Sequence, residues 1–141
     1  MIRVKETNLK FFDIRSIWLK SDDYPKILGS FDLGICLHYS SSGYDLPMKV
    51  VDMYAARLPV MAIEYPTIKE LVNDNINGYL FKDENHLSNL MYEEIQNFIQ
   101  KGFSDKIDQM RKNLLTFSQM NWVRQWKEIS LPQIRKSFKF N

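Results

Sequence analysis

The stretch His38–Val60, HYSSSGYDLPMKVVDMYAARLPV, joins two short apolar runs, Leu33–His38 and Pro59–Ile63, through a polar loop and a helical pattern that begins at a proline. A loop that leaves the carboxyl end of a strand and feeds a helix amino terminus is where α/β proteins hold anions. The alternation extends to both sides. Ile14–Leu19 and Gly78–Phe81 are further strand-like runs, and Tyr24–Gly29, Met48–Ala56 and Ile68–Asn73 carry helical spacing. Short buried strands alternating with helices predict an α/β fold with a parallel sheet built from βα units. Asn77-Gly78 supplies the turn from helix back to strand.

After Phe81 only helical spacing remains. Leu87, Leu90, Met91, Ile95, Phe98 and Ile99 fall on one helical face, as do Ile107, Met110, Leu114 and Phe117. A last helix is expected from about Asn121 to Ser130, with Trp122, Trp126 and Ile129 on one face and Pro132 soon after. With 141 residues the chain forms one domain, long enough for a single hydrophobic core. The net charge of +2, on scattered basic residues, gives no basis for a nucleic-acid partner. The lone Cys36 has no partner for an internal disulfide and fits a reducing compartment. No apolar run approaches the roughly 20 residues that span a bilayer, and the start MIRVKETNLK is too polar for a signal peptide, so the expectation is a soluble chain facing the cytosol.

The chemistry gathers in the central loop. Pro47 suits the first helical turn, where its missing N–H costs nothing, and Asp45 is the expected N-cap. Helix amides and the hydroxyls of Ser40, Ser41 and Ser42 would face a bound anion, with Gly43 allowing close backbone approach. Lys49 falls in the first turn, where the macrodipole disfavours a cation by about 0.3–1 kcal/mol, and Asp52 follows on the same face at a depth suited to sugar hydroxyls. The plainer alternative is an i,i+3 surface ion pair between Lys49 and Asp52 beside an ordinary serine turn. His38 fits either a phosphate or sugar contact or a satisfied strand-end histidine. His86 with Asp83 and Glu84 reads as a solvated helix start, Trp122 and Trp126 as packing anchors or partner-domain contacts, and the tail Arg135–Phe140 as a frayed terminus rather than a membrane contact. No cysteine or histidine spacing suggests a metal site, and no Ser–His–Asp set stands out.

The run from Trp18 to Ala62, WLKSDDYPKILGSFDLGICLHYSSSGYDLPMKVVDMYAARLPVMA, closely resembles the carboxyl-terminal domain of the chitobiosyldiphosphodolichol β-mannosyltransferase family. The likeness continues through IKELVNDNINGYLF and, more loosely, RKNLLTFSQMNW to ISLPQI, covering about Phe11 to Ile134. It implies a partial GT-B carboxyl-terminal domain over 1–141, a Rossmann-like parallel sheet with flanking helices, whose helical carboxyl-terminal part covers 82–134. It also implies a glycosyltransferase that moves mannose from GDP-mannose to dolichol-diphosphate-linked chitobiose at the cytosolic face of the endoplasmic reticulum, with no metal. In this likeness Asp52 matches the acid that contacts the nucleotide ribose. Lys49, Ser40 to Gly43 and the Pro47 helix start match the diphosphate and donor-sugar region, Glu70 frames the donor site, and Trp18 lies near the base.

The sequence departs from the family at three points. Arg57 replaces a helix-end glycine, Tyr44 a leucine, and Asp45 and Asp52 have six residues between them where the two-glutamate motif has seven. The resemblance implies that the catalytic base and acceptor site belong to an amino-terminal half or a companion polypeptide. It also implies that the first βα units of this domain have no counterpart in the chain, which leaves apolar strand edges open. A non-catalytic Rossmann-like nucleotide-sugar-binding or interaction module, left from a truncated or split transferase, is the alternative.

Overall fold

A computed structural model describes residues 15–119 and 122–138. Strands β1 (Gly34–Cys36), β2 (Val60–Ile63) and β3 (Gly78–Phe81) form one parallel sheet in that order. Helix α1 (Tyr24–Gly29) precedes β1, and α2 (Met48–Ala55) crosses from β1 to β2. A 3-10 turn, Pro66–Glu70, links β2 to β3. Helices α3 (Glu84–Lys101) and α4 (Asp105–Gln119) follow, then α5 (Trp122–Gln125), a π-helical stretch Trp126–Ser130 and α6 (Leu131–Phe138). The fold is α/β with a parallel sheet, as the alternation of runs predicts, and is consistent with the Rossmann-like fragment that the resemblance implies.

Strand alternation divides the core between the two faces of the sheet. Cys36, Val60, Ala62 and Leu80 pack with Val50 and Tyr54 of α2 and Leu114 of α4. Met61, Tyr79 and Phe81 pack on the other face, with Leu87, Leu90 and Met91 of α3 and Met110 of α4. Gly78 is required where β3 meets β2, since a Cβ there would lie 2.5 Å from the Val60 carbonyl oxygen. The second core contains one buried acid. Glu94 accepts hydrogen bonds from the Tyr79 hydroxyl and, at 2.5 Å, from Ser104, whose Oγ also accepts from the Ile107 amide at the start of α4. Burial, followed by the bond to Glu94, pushes the Tyr79 phenol well above its ordinary value.

Helix α2 ends in a Schellman motif. The Arg57 amide donates to the Tyr54 carbonyl at 2.9 Å and the Leu58 amide to the Met53 carbonyl at 2.8 Å. Arg57 takes the left-handed conformation there, with φ 58°, so the arginine tolerates a geometry that favours glycine.

Several expectations are corrected. Residues 15–20 form no strand, because a strand needs a neighbour and no described strand lies beside them; Ile14 is outside the described residues. The helix expected over Ile68–Asn73 is the 3-10 turn, started early by Pro66 and stopped when the Asn77 side chain binds the Asn73 amide and the Leu71 carbonyl. The helix expected to stop near Ser130 continues through Pro132. Pro132 is the second residue of α6, directly after the π-helical stretch, where a missing N–H is tolerated. The tail expected to fray from Arg135 is helical as far as Phe138, where α6 ends; Asn121 and the tail beyond Phe138 lie outside the described residues, and the Trp122 side chain is not described.

Candidate functional site

The loop after β1 is folded around the buried Ser40. Its Oγ accepts the Gly43 amide at 2.8 Å and the Asp45 amide at 3.4 Å, and lies 3.2 Å from Ser42 Oγ. Gly43 has φ 79°, a left-handed turn that suits glycine. Ser40 is therefore the internal staple of the loop, while Ser41 and Ser42 are exposed at its rim.

The segment that follows β2 clasps this loop from outside. Thr67 Oγ1 donates to the Gly43 carbonyl at 2.8 Å, and the Tyr65 hydroxyl donates to the Asp45 carbonyl at 3.1 Å. Tyr65 also meets Tyr39 edge-on, with ring centroids 5.7 Å apart. Neither Tyr65 nor Thr67 was among the residues predicted from sequence. The signal was available, because in a parallel sheet the loops at the carboxyl ends of neighbouring strands gather at one crevice.

Asp45 does not cap α2. Pro47 occupies the N-cap position without a side-chain cap, and the Asp45 carboxylate instead meets His38 Nε2 at 2.7 Å. The Ser40 hydroxyl and then His38 hold the Asp45 carboxyl below its ordinary value of 3.8. His38 is thus a partner of the loop at the end of β1.

Lys49 is exposed in the first turn of α2, whose first amides have no intrahelical acceptor. The i,i+3 pair with Asp52 does not form, and among the described residues Lys49 has no ion-pair partner. Lys69, on the neighbouring turn, is held 2.7 Å from Glu64. Asp52 is half-buried and accepts the Tyr24 hydroxyl at 3.4 Å, which ties α2 to the first residue of α1. Burial and then Asp52 raise the Tyr24 phenol. Trp18 is 82% exposed in the segment before α1. Glu70 is exposed at the end of the 3-10 turn and lines a separate cavity with Asn73, Asn77 and Asn113. The structure thus brings His38, Ser40–Gly43, Asp45 and Pro47 into one knot at the start of the helix that carries Lys49 and Asp52. No described contact joins Trp18 or Glu70 to it. Among the described residues, no three His, Cys, Asp or Glu side chains gather as a metal site. Among them also, no helix is long and apolar enough to cross a membrane.

Comparison with known proteins gives the same segment a context. The chain is 40% identical over 131 residues to the chitobiosyldiphosphodolichol beta-mannosyltransferase of Pongo abelii, covering 93% of this chain and 28% of that protein. The protein of the same name from Dictyostelium discoideum is 43% identical over 136 residues, covering 90% of this chain and 28% of its own length. The chain is homologous to part of these mannosyltransferases. An Arabidopsis thaliana protein named UDP-glycosyltransferase TURAN is 41% identical over 133 residues, which is 94% of this chain and 28% of that protein. The chain therefore spans between a quarter and a third of the length of the mannosyltransferases it matches. No family model matches the chain.

Proposed function

We propose that this chain is the donor-binding part of a β-1,4-mannosyltransferase, which moves mannose from GDP-mannose to dolichol-diphosphate-linked chitobiose in N-glycan precursor assembly. The observation that carries the reading is Lys49, a cation without an ion-pair partner among the described residues, in the first turn of the helix fed by the clasped serine loop. A diphosphate at that junction would meet the first amides of α2, the hydroxyls of Ser41 and Ser42, and the Lys49 ammonium. Such contacts hold an anion without a metal.

Asp52, oriented by Tyr24, is the acceptor offered to the ribose, and Trp18 and Glu70 are the outer candidates for base and sugar. The residues that deprotonate the acceptor are expected on the polypeptide that supplies the other half of the cleft, and work would take place at the cytosolic face of the endoplasmic reticulum. The names of the relatives support mannosyl transfer, while the Arabidopsis name points to a uridine nucleotide, so the base is the discriminating feature. Calorimetric titration of the purified chain with GDP, GDP-mannose and UDP tests it. Weak heat with the guanine nucleotides and less with UDP is expected. Absence of heat with all three at millimolar concentration, or a preference for UDP, would refute the reading. The chain alone is expected to transfer no mannose to a lipid-linked chitobiose acceptor.

A further inference from the structure

A basic cavity lies at the opposite end of α2 from the serine loop. It measures about 410 Å³ and opens where α1 and α2 end and α4 passes beside them. Arg57, Arg111 and Lys112 line it together with Gly29 and Ala56, so among the described residues three cations and no acid face this space. The eight residues of α2 rise about 12 Å, which separates the cavity from the junction that carries Lys49.

Cations often gather at helix carboxyl ends only to offset the dipole. Here main-chain groups already close both ends. The Leu58 and Arg57 amides meet the Met53 and Tyr54 carbonyls of α2, and the Ser30 and Phe31 amides meet the Ile27 and Leu28 carbonyls of α1. Among the described residues, the Arg57 and Lys112 side chains have no hydrogen-bond or ion-pair partner. Arg111 is instead fixed in position, since its guanidinium donates to the Phe31 carbonyl and lies 3.6 Å from Asp32. A guanidinium has five N–H donors, so Arg111 keeps others for a ligand.

Charge and volume select that ligand. Three cations against the single Asp32 carboxylate leave two positive charges, and a phosphate monoester carries about −1.5 to −2 at pH 7. A carboxylate would offset only half of that charge. Guanidinium forks bind phosphate oxygens in pairs, and a lysine adds a point charge. The volume exceeds a bare phosphate ion and suits a phosphomonoester with its substituent.

We infer that Arg57, Arg111 and Lys112 form a phosphate site for a phosphomonoester, borne either by a soluble small molecule or by a lipid headgroup. The site uses none of the residues proposed for the donor and stands or falls without them.

The test is to titrate the full chain with glycerol 3-phosphate and follow its amides by NMR. Saturable shifts at Gly29, Arg57 and Lys112 are expected. Arg57→Gly and Lys112→Ala should each weaken binding about tenfold, while Lys49→Ala leaves it unchanged. Glycine suits the left-handed backbone at 57 and Lys112 is exposed, so both variants should unfold no earlier than the unaltered chain. The source is read with phosphatidylcholine vesicles, pure or carrying about one fifth phosphatidic acid. Capture by the acidic vesicles alone, lost in both variants, assigns the lipid; titration without capture assigns the soluble ligand. Absence of shifts at about 10 mM, equal shifts with acetate at matched ionic strength, or binding that survives both substitutions would each overturn the inference.

Discussion

β3 and β1 are the two edges of one sheet, and among the described residues only β3 is closed. On the outer side of β3 the Asn75 amide donates to the Gly78 carbonyl at 2.8 Å and the Leu80 amide to the Asp74 carboxylate at 2.9 Å, so the loop between Asp74 and Asn77 takes the place of a further strand. All four residues of β3 are buried. On β1 the middle residue, Ile35, is exposed and its outward main chain is unmatched among the described residues. Natural sheets blunt their edges against stray pairing, and among the described residues this sheet does so only at β3. The difference teaches that a strand edge can be sealed by loop and side-chain groups in place of a further strand, and that the serine loop at the end of β1 is held by clasps from the segment after β2.

The largest effects should separate the two edges through the same substitution. Gly78→Ala drives a Cβ against the Val60 carbonyl at 2.5 Å, a backbone contact that cannot yield, and should cost about 3 kcal/mol. Gly34→Ala meets the Met53 sulfur at 2.6 Å, the end of a flexible side chain, and should cost about 1 kcal/mol. Chemical denaturation of both variants measures this, and equal losses would dissolve the contrast. Asp74→Ala removes the cover of the Leu80 amide and should cost about 1.5 kcal/mol while making β3 exchange as an open edge does. Unchanged exchange at Leu80 would mean that the seal lies elsewhere.

Smaller effects probe the loop at the open side. Thr67→Val deletes the donor to the Gly43 carbonyl and should cost about 1 kcal/mol, with faster exchange confined to the loop; a change spread over the β2–β3 ladder would contradict the clasp. Asp45 supplies the pH response. Its carboxyl is held below 3.8 in the folded chain, so the stabilisation is complete above that value and is lost as pH falls through the lowered one. An NMR titration should find the Asp45 carboxyl protonating below 3.8, with the loop loosening in step. Protonation at or above the ordinary value would remove the Ser40 and His38 contacts from the account.

Local signals in the sequence were read well, and long-range ones less so. Gly78–Phe81 and Tyr24–Gly29 occupy the residues predicted, because an Asn-Gly turn bounds the first and Pro25 starts the second. The glycine that Arg57 replaces in the resemblance marked a position where a left-handed turn was to be avoided or tolerated, and the structure shows it tolerated. Of the strand expected over Ile14–Leu19, residues 15–19 form none, because an apolar run becomes a strand only beside a partner and the described residues offer none. Loop chemistry points to His38, Ser40–Gly43, Asp45 and Pro47, which locates the knot but not what ties it, while Trp18 and Glu70, implied only by the resemblance, lie apart from it. Thr67 lies 24 residues from Gly43, and the Asp45 carboxylate is drawn from the helix terminus by His38, seven residues away. Neither contact has a local pattern. The open edge was foreseeable only as missing βα units, since the sequence does not show that Asp74 and Asn75 close the opposite side.

The central claim, that Lys49 and the clasped loop hold the diphosphate of a nucleotide sugar, is tested most directly by titrating GDP into three proteins. These are the unaltered chain, Lys49→Ala and Lys69→Ala, the last removing a cation already paired with Glu64 at 2.7 Å. The account predicts that Lys49→Ala weakens binding about tenfold, about 1.4 kcal/mol, and that Lys69→Ala changes it little. Equal losses from the two substitutions would contradict it.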